Sequence, residues 1–425
     1  MAGKRSKVPG PWEAYRPRCL EHVRRLATTG RMPMRGGGML RPHPTLDDIV
    51  ITPAQAARLP VDGLRVPVST QVTVGEERER PLLLQRPYYV GPMSLGALTP
   101  PARHVLAEVA ADLGIGFDTG QGGLSNAERK TLMNGARTIA QIASGRFGVD
   151  LEFVRSADAV EIALGSGAKP GMGGILLAEK ITREIARVRG LPVGADSMSP
   201  PTHLDMDSPE DIPLVVSMLR EATEGQIPIF LRFAAGDIVN DVRIAVEAGV
   251  DAIVVDASEC FATAVPDLVG DEAGTPLPGV FGAVRRALRL AGVKEGGPNL
   301  LVNGGMMTAA DVIKALAMGA TAVGLDLSLL VAMGCEGCFD RCPQGDCPSG
   351  IAGSEDRFKR ERALAGLRNY LQALDREIRM LVALIGHGSV TEVGLDDVRG
   401  MTYEVATISG VKLMGYERVL PMWQH

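Results

Sequence analysis

Residues 299–328 read NLLVNGGMMTAADVIKALAMGATAVGLDLS. A short apolar run, NLLVN, stops at Gly304-Gly305. The segment TAADVIKALAMGA then carries its apolar residues at helical spacing, and a second apolar run, TAVGLDL, follows at once. Strand, helix and strand in direct succession form the unit of a parallel sheet, because the helix carries the chain back to the starting edge.

The same texture begins near residue 86. The strand candidates are PYYVGPM, GIGFDTG, AVEIALG, LPVGAD, IPIFLRF, DAIVVDA, NLLVNGG and TAVGLDL, with helix-period segments such as TPPARHVLAEVAADLG between most of them. Most run into Gly, Asp or Thr at their C-terminal ends. Eight strands over about 240 residues match a (β/α)8 barrel, the TIM-barrel α/β class. A doubly wound open sheet ranks second, since no GxGxxG follows the first strand. The expected division is an Arg- and Pro-rich N-terminal cap (1–85), the barrel (86–355) and a C-terminal helical extension (356–425). In that extension 360–385 reads as one long amphipathic helix, and VGLDDVRGMTYEVATISGVKLMG as another helix packing back.

Composition narrows the function classes. A formal net charge of −5 gives no global field for nucleic acid. No apolar run reaches the ~18 residues that span a bilayer. MAGKRSK lacks an apolar segment after its basic residues, so a cytoplasmic, reducing location is expected, which argues against structural disulfides. The 51 glycines suit many tight loops closing on a ligand.

Ligands of such a barrel sit at the C-terminal ends of the strands, with phosphate often on the loops after strands seven and eight. Those loops are NGGMMTAAD (303–311) and GLDLS (324–328). Gly304 and Gly305 would let backbone N–H groups approach a phosphate, and the helix near Thr308 would add its positive end; alternatively the glycines merely end a strand. The stretch LGSGAKPGMGGILLAEKITREIARVR (164–189) sets Lys169 on a glycine-rich loop and opens a helix ending at Arg187 and Arg189. Lys169 there suits an anion or substrate carboxylate, or else is a solvated surface lysine. PMSLGALT (92–99) and DTGQGGLSN (118–126) are similar strand-end loops, and together the loops suggest one flat, phosphorylated cofactor across the mouth. SMSPPTHLDMDSPEDI (197–212) reads as structural, with a helix start at Ser208-Pro-Glu-Asp, although His203 could line the mouth.

GCEGCFDRCPQGDCPSG (334–350) holds Cys335, Cys338, Cys342 and Cys347. The C-x2-C-x3-C-x4-C spacing with closing Cys-Pro pairs favours iron–sulfur ligation, with zinc and free thiols as the other readings. Cys260 ends a strand and reads as core. A cluster beside a phosphorylated flat cofactor favours flavin over nicotinamide, because a flavin exchanges single electrons and hydride.

These motifs resemble the FMN-binding synthase domain of the glutamate synthase family. The matching stretches are Pro92–Thr99, Thr119–Gly123, Ser144–Gly148, Ser166–Gly174, Ser199–Asp205 and Cys347–Ala352, so the likeness runs from about residue 86 to 355. The resemblance implies FMN at the barrel mouth, an iron–sulfur cluster close by, and reduction of the imine of 2-oxoglutarate and ammonia to glutamate. It assigns Lys169 and Arg189 to the substrate carboxylates, with Gln121 as the third catalytic position. Met93, Ser94, Gln121, Lys169, Arg232, Gly304, Gly305 and Gly324 fall to the cofactor. Cys335, Cys342 and Cys347 fall on the cluster ligands, and Cys338 is extra, which suits [4Fe–4S] rather than [3Fe–4S].

The sequence departs from the family at Gln121 (Glu in the family), Ile175 (Gln), Arg232 (Lys) and Glu259-Cys260-Phe261-Ala262 (Gly-Gly-Thr-Gly). A more apolar site and a related keto acid or amine are implied. The implied electron donor is ferredoxin or an NAD(P)H-oxidising subunit. RGGG (35–38) and the C-terminal tail are similar to the corresponding stand-alone subunit of N-methylglutamate synthase. That likeness implies an alternative amine-transfer role with amidotransferase-like and β-helix-like partner subunits. A silent FMN-binding scaffold is the remaining alternative.

Overall fold

The computed structural model describes residues 17–423, apart from 64, 294, 295 and 417. MAGKRSK lies outside the described residues.

Eight parallel strands close into a barrel. They are β1 (Tyr88–Val90), β2 (Gly116–Asp118), β3 (Arg137–Ala143), β4 (Ala159–Ala163), β5 (Ile229–Ala234), β6 (Ala252–Asp256), β7 (Asn299–Asn303) and β8 (Ala322–Leu325). Each pairs with the next in sequence, and β8 closes on β1 through Val323 opposite Tyr88. Nearly every strand residue is buried, as expected for a parallel sheet covered on its outer face by helices.

One expected strand is corrected. LPVGAD (191–196) is a loop, and the missing strand is RTIAQIA, β3. The helix Arg183–Arg189 ends at Gly190 in the left-handed region, φ +67°, and Val193 just beyond is exposed. RTIAQIA hides its character because Gln141 interrupts the apolar run, yet Gln141 is 4% exposed and points into a polar layer inside the barrel.

The helix Arg360–Leu384 lays Ala363, Leu367, Leu371, Leu374, Ile378 and Val382 against the barrel's helices Pro100–Leu113 and Ala309–Ala317. Their spacing of three and four residues makes one apolar stripe, each large side chain contributing about 1.5–3 kcal/mol. The tail contains a short strand, Val398–Gly400, before its helix Tyr403–Ser409. That strand pairs antiparallel with Ile49–Ile51, so the segments on either side of the barrel join each other. Another N-terminal strand, Met34–Arg35, pairs with Val265–Pro266 on the loop after β6. Among the described residues no helix is long and apolar enough to cross a membrane.

Candidate active site at the barrel mouth

The loops after β1 and β2 meet first. Gly120 takes φ +61°, and a side chain there would strike the backbone nitrogen of Ser94 at 2.9 Å. Beneath them Arg103 is fully buried. Its Nη1 donates to the carbonyls of Met93 (2.6 Å) and Thr119 (2.8 Å), and its Nε to Glu128 (2.6 Å). Glu128 in turn accepts from the Ser125 N–H, closing a capping box on the helix Asn126–Leu132. One ion pair therefore fixes both loops. Sequence reasoning missed Arg103 and Glu128, whose only signal was the Ser-x-x-Glu start of a helix. Met93, Ser94 and Gln121 all line the mouth cavity.

The glycine-rich loop after β4 packs on residues 197–200. A Cβ at Gly173 would lie 1.8 Å from the Ser199 carbonyl oxygen, and one at Gly174 would lie 2.2 Å from Nε2 of Gln121. The Ser199 hydroxyl donates to Gln121 Oε1 at 3.3 Å and accepts the Gly174 N–H at 2.7 Å. Gln121 is thus held by the loop that carries Lys169. Lys169 and Arg189 both line the cavity. Arg189 donates to Ser197 Oγ (2.9 Å) and the Leu95 carbonyl (2.7 Å), stacks 5.0 Å over the Phe147 ring, and keeps a buried Nε without a partner. Burial, then the charge of Arg189, lowers the Lys169 ammonium to about 8. Among the described residues no carboxylate acts on either cation. Two cations without an ion pair thus share one cavity, whose lining also includes the Asp326 carboxylate.

His203 does not join the lining. It is 4% exposed and its Nε2 bonds to the Ala163 carbonyl at 2.8 Å. Asp205 pairs with Arg146. Ser208 does not cap the next helix with its side chain; the Asp211 carboxylate, in the first turn, accepts the Asp207 and Ser208 N–H groups.

The cavity floor is a buried polar layer. Arg232 reaches it from β5, but its guanidinium is held by Asp256 on β6, with Nε at 2.9 Å, and lies 3.6 Å from Glu161 on β4. Asn303 donates to Asp256 at 2.7 Å and accepts from Tyr89 at 2.8 Å. Gln141 donates to Glu161 at 2.8 Å. Three buried carboxyls, counting Asp118, thus face one guanidinium. Burial, only partly offset by Arg232, pushes Asp118 up to about 6, while burial and then Asp118 push Glu161 well up.

The loops after β7 and β8 differ from expectation. Neither Gly304 nor Gly305 lines the cavity. A Cβ on Gly304 would meet the Cys260 nitrogen at 2.8 Å, so this glycine makes room for the loop after β6. Gly324 does line the cavity, but a Cβ there would strike Asn303 Oδ1 at 1.8 Å. Cys260 lies beyond the end of β6, is buried, and lines the mouth. Of the residues expected around a cofactor, Met93, Ser94, Gln121, Lys169, Arg232 and Gly324 line the cavity. Just beyond β8, Asp326 lines the cavity and takes the N–H groups of Phe261 and Leu327.

The cysteine loop packs beside the mouth. Gly36 donates to the Phe339 carbonyl at 2.6 Å and Gly37 to the Ala262 carbonyl at 2.9 Å. RGGG thus threads between the cysteine loop and the loop after β6, and a Cβ on Gly36 would lie 3.1 Å from Cys342 Sγ. Cys342 and Cys347 are buried, and Cys335 and Cys338 half-buried. Among the described residues no group of three or more His, Cys, Asp and Glu is arranged to hold a metal ion, the four cysteines of this loop included. The donor chemistry still suits thiolates. At Cys347, burial is outweighed by N–H donors from Ser349, Ile351 and Ala352 and by the Ser349 hydroxyl, and its thiol is lowered. Cys342 is pushed up to about 12 by burial and then by the other thiols. Lys180 faces Cys342 and Cys347, whose charges offset part of its own burial. Sulfurs that oppose each other's ionisation need a bound cation to ionise together.

The profile of the conserved region in glutamate synthase matches residues 43–388. The chain is similar to a glutamate synthase large subunit-like protein of Rhizobium meliloti, 32% identical over 416 residues, 93% of each chain. It is similar to the archaeal glutamate synthase [NADPH] of Archaeoglobus fulgidus, 33% identical over 91% of this chain and 80% of that one. A solved mandelate oxidase carrying an FMN adduct shares the fold at TM-score 0.50 and 20% identity, over 82% of this chain and 87% of that chain.

Proposed function

The chain belongs to the glutamate synthase family, and from that premise we propose an oxidoreductase that reduces the imine of a keto diacid to an amino acid. The observation that carries the reading is the pair of cations, Lys169 and Arg189, in one cavity without a carboxylate partner. They would hold the two carboxylates of 2-oxoglutarate or a close relative. Condensation with ammonia or an amine releases water, and the imine then takes two electrons and two protons. A flavin held at the mouth, with Gln121 in its lining, would supply the hydride to the imine carbon. Gln121, held by Ser199, offers a neutral amide where an acid would repel the substrate. Ile175 on the rim is apolar and 37% exposed, which favours a substrate with an apolar or alkylated group at the amine end. Cys335, Cys342 and Cys347, with Cys338, would ligate an iron–sulfur cluster that takes electrons from ferredoxin or an NAD(P)H-oxidising subunit in a reducing, cytoplasmic setting. An amidotransferase-like partner would feed the amine.

The test is titration with 2-oxoglutarate by calorimetry. Lys169→Met should weaken binding about 10–100-fold, the worth of a hydrogen bond to a charged group. Equal affinity in wild type and variant would remove the site assignment. Iron and sulfide analysis of anaerobically isolated protein tests the cluster, and zinc in their place would sink it.

A further inference from the structure

A phosphate at the mouth of a (β/α)8 barrel is held by backbone N–H groups after strands seven and eight. Here carboxylates take some of the N–H donors at that end of the mouth, one after β8, two after β7 in the capping box of the helix Ala309–Ala317, and two after β6. After β8, Asp326 accepts the Leu327 N–H at 2.5 Å and, across the mouth, the Phe261 N–H at 2.9 Å. It is 8% exposed and lines the cavity. After β7, Asp311 accepts the N–H groups of Met307 (3.1 Å) and Thr308 (2.9 Å) and the Thr308 hydroxyl (2.9 Å). After β6, Glu259 accepts the Leu277 N–H at 2.9 and 3.2 Å and the Ser258 hydroxyl at 3.1 Å, with His43 at 3.6 Å. Glu259 also lies against Gly305, whose Cβ would sit 3.5 Å from its own.

We infer that Asp326, backed by Glu259 and Asp311, occupies the place of a bound phosphate, so that a ligand of this mouth is recognised without one. The inference rests on the flavin reading above and sharpens it: the isoalloxazine ring supplies the affinity and the 5′-phosphate supplies none. Two effects act together. Several donors at that end are already satisfied, and the carboxylates that satisfy them repel a dianion. A flavin with a neutral ribityl tail escapes both.

The experiment is a titration of flavin-stripped, otherwise intact protein with riboflavin and with FMN, followed by quenching of flavin fluorescence. Wild type should bind the two within about threefold of each other, whereas Asp326→Asn should bind FMN about tenfold tighter than riboflavin. Asn keeps the shape and one acceptor oxygen while removing the charge; Glu259→Gln provides a second variant with the same expected direction. Wild type that favours FMN by about tenfold or more, or that is isolated with stoichiometric FMN surviving gel filtration, overturns the inference and leaves the flavin reading standing. If wild type binds neither flavin but Asp326→Asn binds FMN, the inference falls, since the ring alone then gives no affinity. If no flavin binds wild type or either variant, both fall.

Discussion

Lys169 carries opposite consequences for binding and for stability. Its ammonium is lowered from 10.5 to about 8, first by burial and then by Arg189. An anion is held only by the protonated form, so affinity for a dicarboxylate should hold below pH 8 and decline as pH rises through it. A calorimetric series from pH 6 to about 9.5 checks this, and a flat profile would remove Lys169 from the ligand's shell. Between about 8 and 10.5 the unfolded chain holds this proton and the folded one does not, so this group adds stability as pH rises there. At neutral pH its charge is a burden. Lys169→Met should therefore stabilise the ligand-free protein by roughly 1–2 kcal/mol, allowing for its half-buried position, while weakening substrate binding. Lys169 was legible in the sequence because a lysine amid glycines has few structural uses. Asp326 was not, since an acid after a strand reads equally as a helix cap. Only its reach to Phe261, across the mouth, sets it apart from an ordinary cap.

At the scale of elements, the loops after β1 and β2 depend on a helix pair rather than on their own glycines. Arg103, from Pro100–Leu113, and Glu128, from Asn126–Leu132, form the buried pair that holds the Met93 and Thr119 carbonyls. Glu128→Gln leaves a guanidinium buried without its counter-charge and should cost about 3–5 kcal/mol. Arg103→Met combined with Glu128→Leu should recover much of that loss in a chemical melt yet still loosen the mouth, weakening substrate binding. Equal stability of the single and double variants would show that the loss lies in Arg103's bonds to the two carbonyls rather than in an unpaired charge. Long, strongly periodic helices such as Arg360–Leu384 could be read directly from their apolar stripe. β3 could not, because its inward Gln141 answers Glu161 on β4, a partner remote in sequence. LPVGAD looked like a strand for the converse reason: local composition says nothing about whether a pairing edge is free.

For the whole molecule, the polar layer inside the barrel makes stability depend on pH in a definite direction. Asp118 gives up its proton near 3.8 when unfolded and near 6 when folded. The stability it contributes is complete below 3.8 and is lost as pH rises towards 6, and the raised Glu161 acts in the same sense. Asp118→Asn should therefore lose less stability than wild type between pH 4 and 6 in urea melts, and identical slopes would mean that Asp118 is ionised throughout. The closed barrel was legible from eight apolar runs with helices between them. Its charged interior was not, because the acids at the ends of GIGFDTG and DAIVVDA passed for loop residues.

The thread formed by RGGG bears on the order in which the molecule can assemble. Gly36 and Gly37 are synthesised early, yet their hydrogen-bond partners, Phe339 and Ala262, emerge only after most of the barrel has left the ribosome. The N-terminal thread must wait for partners made much later. Completion of the site is then a late, post-translational event, slowed by the long loop that has to close.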